Sequence, residues 1–452
     1  MRRRPALVTV ALCLMVTTAL PMLAAPAGAA GRGHGEAGTA RTPKTAGPVR
    51  PLKKGTLNGD TYIKVTDLGS STFQGDGPYA VGTYTLTMPV TDANDVTYST
   101  KVQVWYPTKR PTSPSAVVAT YNVSSWLPPS LLALINASPQ SQALANEATF
   151  TEDAYQYSKT RTKKGVVVGT VPKPAAGRFP LVVFSHGYAG FRDQSTYLTT
   201  HLASWGFVVA APDQQSRVLT TVLGSPSPTT DPNSDVTELL DTIALFTDGD
   251  GGTAQAITDP THVIAFGHSA GGSTVERLAS YLTAEQGASS VLKGFIGMAG
   301  ADFSGLSSES PPYNTVPAMP GVLVGGADDQ VVAPATLQSA YSALTGPRRY
   351  VELTGAGHLV FSDLCQIAPG QGGLTVLAKA LGITLTGNLQ LLATDGCFPP
   401  DVPVTTDWPL VDQIVVASAR QMLGFDTTDA GDDALASAYP SLVTTDISTA
   451  LP

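Results

Sequence analysis

A short motif, GHSAG at residues 267–271, places a serine between two glycines. The apolar run VIAF precedes the motif, and STVERLASYL follows it with helical spacing. A serine at a sharp turn between a strand and a helix has an exposed hydroxyl, and its glycine neighbours avoid a steric clash. The backbone N–H at the start of the helix then points at any oxyanion formed there. The motif therefore predicts Ser269 as a nucleophile and Ala270 as an oxyanion donor.

A serine hydroxyl is a weak nucleophile and needs a general base. When the serine lies on such a turn, the acid and then the histidine follow it along the chain. His358, in TGAGHLVF, is the only histidine after Ser269, and the other five precede it. We therefore predict His358 as the base.

The acid that orients the histidine should lie between Ser269 and His358, at the end of a strand. Asp329, in GGADDQVVAP, is the favoured candidate. Asp302, in GMAGADFSG, is the alternative acid, and Asp328 is a third candidate.

The loop VVFSHGYAG follows an earlier apolar run and could supply a second oxyanion donor. Gly187 lets the backbone of this loop turn closely, so the N–H of Tyr188 is the predicted donor. We expect His186 to brace the loop rather than act as a second base, because the order of serine, acid and histidine is complete without it.

Apolar runs alternate with helical segments through the part of the chain that carries these candidates. The runs include PLVVFSHG, FVVAAPD, THVIAFGHS, LKGFIGM, GVLVGG and RRYVEL. The alternation predicts an α/β fold with a mostly parallel central sheet and helices on both faces. Ligands bind outside the carboxyl ends of such strands, where the candidate residues lie. Upstream, YAVGTYTLTMPV and TYSTKVQVWYP flank TDAND and predict an N-terminal antiparallel hairpin.

The first 30 residues combine three arginines, an apolar stretch and small residues, which is typical of a secretory signal peptide cleaved near Ala29. We therefore expect a secreted protein. No later segment has the ~18 uninterrupted apolar residues of a spanning helix, so no stable membrane span is expected in the mature form. The predicted organisation is a signal peptide at 1–29, a flexible leader at 30–70, an α/β domain at 71–425 and an acidic C-terminal tail at 426–452. The α/β domain contains an insertion at 111–175 that could act as a lid. The tail is expected either to be disordered or to pack as a short arm.

Charged residues make up 14% of the 452 residues, and the formal net charge is −8. Such a chain would repel a phosphate backbone, so nucleic acid is not an expected partner. Cys365 and Cys397 remain once Cys13 leaves with the signal peptide, and two cysteines in an oxidising compartment predict one disulfide. Calcium-loop-like fragments at 231–235 and 248–252 lack the full ligand set, and the sequence has no zinc cluster. We therefore expect no cofactor and no metal.

Two families share these motifs. PLVVFSHGYAGFRDQSTYLTTHLASWGFVVAAPD and VIAFGHSAGGSTV resemble the platelet-activating-factor acetylhydrolase branch of the α/β-hydrolases and the cutinase-like polyester hydrolases. GPYAVGTYTLTM and KVQVWYP resemble the leading hairpin of the first family. GADDQVVAPATLQSAYSAL and YVELTGAGH resemble the acid-to-histidine stretch of the second. The resemblance runs over about residues 77–425 and implies the α/β-hydrolase fold.

For the site, the resemblance implies Ser269 as nucleophile and His358 as base, with oxyanion donors in the two loops already named. The acetylhydrolase pattern implies Asp302 as the acid, whereas the polyester-hydrolase pattern implies Asp329. The insertion at 111–175 and the segment between the cysteines fit the compact polyester hydrolases poorly.

These observations predict a serine hydrolase that cleaves carboxylic esters through an acyl-enzyme. Its expected substrates are short-acyl, lipid-like or polymer esters. An amidase, peptidase or acyltransferase would use the same three residues, and a non-catalytic binding protein on the same fold is a further alternative.

Overall fold

The computed structural model describes residues 53–110, 117–146, 148–156, 159–161, 167–169, 173–300, 311–367, 373–380, 382–432, 435–449 and 451. The predicted signal peptide, the first part of the predicted leader and the candidate acid Asp302 lie outside the described residues.

A large mixed sheet organises the described residues. Its strand order is β15-β14-β13-β12-β11-β9-β10-β4-β3-β6-β5, and two small hairpins, β1-β2 and β7-β8, lie apart from it. The strands are Lys54–Leu57 (β1), Asp60–Ile63 (β2), Ala80–Thr91 (β3), Thr97–Thr108 (β4), Val117–Asn122 (β5), Thr149–Gln156 (β6), Lys159–Arg161 (β7), Val167–Gly169 (β8), Phe179–Ser185 (β9), Val208–Pro212 (β10), Thr258–His268 (β11), Leu292–Met298 (β12), Gly321–Gly326 (β13), Arg348–Leu353 (β14) and Val443–Thr449 (β15).

The six central strands, from β10 to β14 across the sheet, pair in parallel. Antiparallel strands flank them, with β4 beside β10 and β15 beside β14. The carboxyl ends of the parallel strands therefore meet along one edge, which is the edge where this class of fold binds ligands. This confirms the predicted mixed α/β fold, and the pairing of β3 with β4 confirms the predicted hairpin.

Helices cover both faces of the sheet. They are Pro129–Asn136 (α1), Pro139–Asn146 (α2), Thr196–Ser204 (α3), Leu219–Val222 (α4), Ser234–Asp248 (α5), Ala270–Gln286 (α6), Pro334–Ala343 (α7), Leu374–Ala380 (α8), Asn388–Thr394 (α9), Val404–Met422 (α10) and Leu435–Ala438 (α11). Successive side chains of a strand point to opposite faces. On β9, Leu181 and Val183 belong to the apolar core beneath α5, α6 and α7, and Val182 and Phe184 belong to the core beneath α3 and α10.

No helix among the described residues is both long and apolar enough to cross a lipid bilayer.

The predicted flexible leader at 30–70 contains an ordered hairpin, β1-β2, at residues 54–63. Asn58 and Gly59 form its turn with φ values of 50° and 94°. An Asn-Gly pair adopts such positive φ values readily and is a strong hairpin signal. The composition of the whole leader gave no indication of this hairpin, because the signal lies in two residues only.

The predicted insertion at 111–175 contributes two strands to the edge of the sheet, besides the short helices that its sequence indicated. Tyr121 on β5 stacks on Phe150 of β6 with ring centroids 4.8 Å apart. Trp126, in the apolar patch WLPPSLLALI, stacks on Phe191 at 4.3 Å. The start of that patch is therefore packed in the core, while Leu134 farther along it is 54% exposed.

The predicted C-terminal tail is a packed arm rather than a disordered one where it is described. β15 pairs antiparallel with β14, and α11 precedes it.

Glu152 on β6 is a buried carboxyl group, and its Oε2 accepts a 2.7 Å hydrogen bond from Trp105 Nε1. Burial, reinforced by nearby Asp193, raises the pKa of Glu152 above its ordinary value. A carboxyl group with a raised pKa in the folded state favours folding while it is protonated. That contribution is lost as the pH rises through the folded-state pKa.

We expect the melting temperature to fall as the pH is raised from 5 to 9, and Glu152→Gln to make this fall shallower. The amide stays neutral and can still accept the tryptophan N–H. A difference of about 1 kcal/mol, or roughly 1–2 °C, is expected at the upper end of the range. Thermal unfolding at several pH values measures it, with the exposed Glu285→Gln as control. Parallel curves for wild type and Glu152→Gln would contradict the assignment.

Candidate active site

Ser269 lies between the end of β11 and the start of α6 with φ 58° and ψ −125°. A non-glycine residue at positive φ is strained by about 1–3 kcal/mol, and such residues concentrate at functional sites. The Ser269 N–H donates to the Met298 carbonyl at 2.9 Å, and its own carbonyl accepts from the Gly272 N–H at 2.8 Å. The residue is 8% exposed. The backbone on both sides of this buried side chain is thus fixed by hydrogen bonds.

Three glycines make this turn possible. Neighbouring backbone atoms lie where the Cβ of any other residue would be. A Cβ on Gly267 would lie 2.1 Å from the Gly271 carbonyl oxygen, and one on Gly271 would lie 2.0 Å from the Ser185 carbonyl oxygen. A Cβ on Gly300 would lie 1.9 Å from the carbonyl oxygen of Ser269. The two glycines of the motif therefore have the steric role that the sequence predicts, and Gly300 adds a third close approach.

Asp329 and His358 are in direct contact. Asp329 Oδ2 lies 2.9 Å from His358 Nδ1, and both residues are buried. The other carboxylate oxygen, Asp329 Oδ1, accepts the N–H groups of Val331 at 2.8 Å and Val332 at 2.7 Å. This carboxylate can only accept, so the imidazole carries its proton on Nδ1.

The remaining ring nitrogen, His358 Nε2, is buried and has no hydrogen-bond partner among the described residues. A neutral imidazole protonated on Nδ1 has its lone pair on Nε2, which is the atom that a general base requires. Of the three candidate acids, the structure brings Asp329 to the histidine. Asp328 is exposed, and Asp302 lies outside the described residues.

His268, the variable residue of the serine motif, links three loops of the site. Its Nε2 donates to the His358 carbonyl at 3.0 Å, and its Nδ1 accepts from Gln194 Nε2 at 2.8 Å. The Gln194 Oε1 in turn accepts the Gly187 N–H at 3.2 Å. Burial and then nearby His358 hold the pKa of His268 well below its ordinary value. His268 is therefore a neutral bridge, and the sequence contains no local signal for Gln194.

The loop after β9 approaches the serine from the other side. A Cβ on Gly187 would lie 3.1 Å from the Ser269 Cβ, so this backbone comes close to the nucleophile. Within the described residues, neither the Tyr188 N–H nor the Ala270 N–H donates to another backbone group. Both are thus available to an oxyanion.

His186 braces this loop, as its position in the sequence suggests. Its Nδ1 donates to the Gly187 carbonyl at 2.8 Å, and its Nε2 accepts the Gln214 N–H at 2.8 Å. Burial, with nearby Arg217, lowers the pKa of His186 to about 4. Both ring nitrogens are used by the backbone, so His186 is not available as a second base.

Asp395 is a positioning residue that the sequence analysis missed. Its Oδ2 accepts the backbone N–H of His358 at 2.9 Å and that of Gln330 at 3.0 Å. The carboxylate thus ties the loop of the histidine to the loop of Asp329. The predicted disulfide was the available signal, because it brings the segment around Cys397 towards the residues after His358.

The disulfide between Cys365 and Cys397 is formed, which confirms the predicted pairing. It holds the segment that carries Asp395 next to the loop that follows His358.

Trp126 of the insertion is anchored near the loop after β9 by Arg192 and Asp213. The Arg192 guanidinium lies 4.6 Å from the ring centroid of Trp126, whose Nε1 donates to Asp213 at 3.0 Å. Asp213 follows the end of β10 and also accepts the Arg192 N–H at 2.9 Å. The insertion is therefore anchored at the ligand-binding edge of the sheet.

This topology, with a serine on a strand-to-helix turn and a histidine beyond the last parallel strand, is that of one superfamily. Residues 66–240 match the family model described as platelet-activating factor acetylhydrolase, isoform II, which lies in the α/β-hydrolase superfamily. The chain has the α/β-hydrolase fold. The match extends from before β3 into α5 and ends before Ser269, so it covers the oxyanion loop and the insertion. A search of curated proteins gave no match.

Replacing Cys365 and Cys397 together by alanine should lower the free energy of unfolding by about 3–4 kcal/mol. The disulfide joins residues separated by 32 positions, and releasing it increases the entropy of the unfolded chain. Guanidinium unfolding of the two proteins measures the difference. A reductant should shift the wild-type midpoint by the same amount and leave the double variant unchanged. Equal midpoints for the untreated wild type and the double variant would contradict a stabilising role.

Proposed function

We propose that the protein is a secreted serine hydrolase that cleaves carboxylic esters through Ser269, His358 and Asp329. The observation that carries this proposal is the state of His358. Its Nδ1 is bound to Asp329, and its Nε2 is buried without a partner among the described residues. The match to an acetylhydrolase family supports ester hydrolysis in general.

In the proposed reaction, Ser269 Oγ attacks the ester carbonyl carbon while its proton passes to His358 Nε2. The negative charge that forms on the carbonyl oxygen is stabilised by the N–H groups of Tyr188 and Ala270. Each such donor contributes roughly 2.7–4 kcal/mol to lowering the barrier. Asp329 stabilises the imidazolium without taking its proton.

The tetrahedral intermediate collapses by breaking the bond to the alcohol oxygen, which receives the proton from His358. The acyl group is left on Ser269. A water molecule then attacks the acyl carbon and gives a proton to the same imidazole nitrogen. The second collapse releases the carboxylic acid and returns the proton to the serine oxygen.

Short-acyl and lipid-like esters are the proposed substrate class. The family match supports this choice, since it covers the insertion and the oxyanion loop. Trp126 of the insertion stacks on Phe191, three residues after Tyr188 in the chain, so the insertion packs against the segment that follows the proposed oxyanion donor. Polymer esters would need an open groove, and the anchored insertion argues against one.

Secretion is supported by the signal-peptide pattern of residues 1–29 and by the Cys365–Cys397 disulfide. Disulfides persist mainly in oxidising compartments outside the cytosol. N-terminal sequencing of protein recovered from the culture medium tests this part of the proposal, and an uncut N-terminus would contradict it.

Hydrolysis of p-nitrophenyl esters from acetate to palmitate tests the activity. Ser269→Ala should abolish turnover, and Asp329→Asn should lower kcat by about 10³–10⁴-fold because the imidazole loses its orienting acceptor. Asp328→Asn, a change of the same kind at the neighbouring exposed residue, should keep near wild-type rates. Equal losses in the two asparagine variants would overturn Asp329 as the acid.

Two further reagents separate the alternative functions. A matched p-nitroanilide series distinguishes an amidase from an esterase, and an ester hydrolase should favour the ester of each pair. A fluorophosphonate should label Ser269 in the wild type and leave Ser269→Ala unlabelled. Absence of both turnover and labelling would favour a non-catalytic binding protein.

Asp395→Ala should lower kcat at least tenfold with KM changed less than twofold, because the variant leaves the His358 N–H without its carboxylate acceptor and loosens the base. Rescue by Asp395→Asn, which keeps an acceptor oxygen, should be partial. Asp401→Ala is the control, since the side-chain hydrogen bond of Asp401 comes from the Gly396 N–H and not from His358. A change in KM alone would contradict a positioning role.

A further inference from the structure

A second cluster of ligand-type side chains lies at the opposite end of β11 from Ser269. Asp259 and His262 belong to the start of β11, and Asp60 is the first residue of β2. His262 Nδ1 lies 2.6 Å from Asp60 Oδ2 and 3.7 Å from Asp259 Oδ2. One ligand atom of each residue lies within 4.8 Å of those of the other two. The three side chains therefore point at one small volume.

An irregularity in β11 brings two of them together. Residues three positions apart in a regular strand face opposite sides of the sheet. The register of β11 against β9 shifts between Asp259 and Val263. Such bulges turn a side chain to a new direction. Here the bulge lets Asp259 and His262 face the same partner, Asp60.

One carboxyl oxygen of the buried Asp60 lacks a hydrogen-bond partner among the described residues. The residue is 1% exposed, and its Oδ1 has no hydrogen-bond partner among the described residues. A buried acceptor without a partner is costly, more so when it is charged. A cation bound between Asp60, Asp259 and His262 would provide a partner for this oxygen.

Neighbouring residues orient the carboxylate of Asp259. Asp259 Oδ1 accepts the Thr261 N–H at 3.0 Å and the Thr261 hydroxyl at 2.6 Å, and it pairs with Arg178 at 3.3 Å. These contacts leave Oδ2 facing the cluster, as outer partners do for metal-bound carboxylates.

Two carboxylates and one neutral imidazole are a ligand set that suits zinc, whereas calcium prefers six or more oxygen ligands. Zinc bonds of 2.0–2.2 Å in a tetrahedron place ligand atoms about 3.3 Å apart. The two separations that involve His262, 2.6 Å and 3.7 Å, each differ from that value by less than about 1 Å, which small side-chain rotations can supply. A water molecule would complete the fourth position.

We propose that Asp60, Asp259 and His262 bind one zinc ion that fastens the β1-β2 hairpin to the strand leading to the nucleophile. His262 is seven residues before Ser269, or about 20 Å along an extended strand. The ion is therefore structural and takes no part in ester cleavage. The sequence did not indicate this site because Asp60 is 202 residues away from His262.

Zinc titration of the metal-free mature protein by calorimetry, together with thermal unfolding, tests the proposal. The wild type should bind one zinc per chain, and an excess of about 100-fold over the dissociation constant should raise the melting temperature by about 3 °C. Asp60→Asn and His262→Gln should each weaken zinc binding at least 100-fold and remove the shift. Esterase rates at saturating substrate should stay within twofold in all cases.

Asp76→Asn is the matched control, because Asp76 lies beside another buried histidine, His201, outside the cluster. It should bind zinc as the wild type does. His262→Gln keeps the test open if Asp60→Asn does not fold. No zinc binding by the wild type, or zinc binding as tight in both cluster variants, would overturn the proposal. A larger melting shift with calcium than with zinc would overturn the choice of metal.

Discussion

The positive-φ backbone of Ser269 is the constraint on which the architecture of the site depends. Holding a serine at φ 58° requires β11 to end, and α6 to begin, within a single residue. It also requires neighbouring chains to approach so closely that Gly267, Gly271 and Gly300 cannot carry side chains. The same approach brings the loop after β9 against the serine, where a Cβ on Gly187 would lie 3.1 Å from the Ser269 Cβ. The strained backbone of Ser269 thus fixes both the position of its side chain and the close approach of the neighbouring loops.

The second organising feature is the neutral bridge through His268. It connects the oxyanion loop, by way of Gln194, to the carbonyl of His358. Asp395 holds the N–H of the same histidine from the other side. His358, the proposed base, is therefore fixed at both its backbone groups and at Nδ1, and its Nε2 has no hydrogen-bond partner among the described residues. Relative movement between these loops would disturb the proposed nucleophile, the proposed base and the proposed oxyanion donors at once.

The parts of the molecule that were predictable from sequence are those encoded by local patterns. Continuous apolar runs indicated the parallel strands, and the glycine-flanked serine indicated the turn. The chain order of serine, acid and histidine left Asp329 among three candidates, and only the fold selects it by contact. Gln194 and Asp395 escaped prediction because their roles depend on loops brought together by tertiary structure. The hairpin at 54–63 and the strands β5 and β6 escaped it because averaged composition conceals short alternating segments.

The pairing of β15 with β14 has a consequence for how the chain is made. β15 leaves the ribosome after the other strands that the structure describes, yet it covers the outer edge of the parallel sheet. During synthesis, β14 and the loop that carries His358 are complete well before their covering strand exists. An uncovered strand edge is a template for pairing with other chains. The nascent protein therefore passes through an interval in which its sheet is open, and the length of that interval is set by the roughly ninety residues between the two strands.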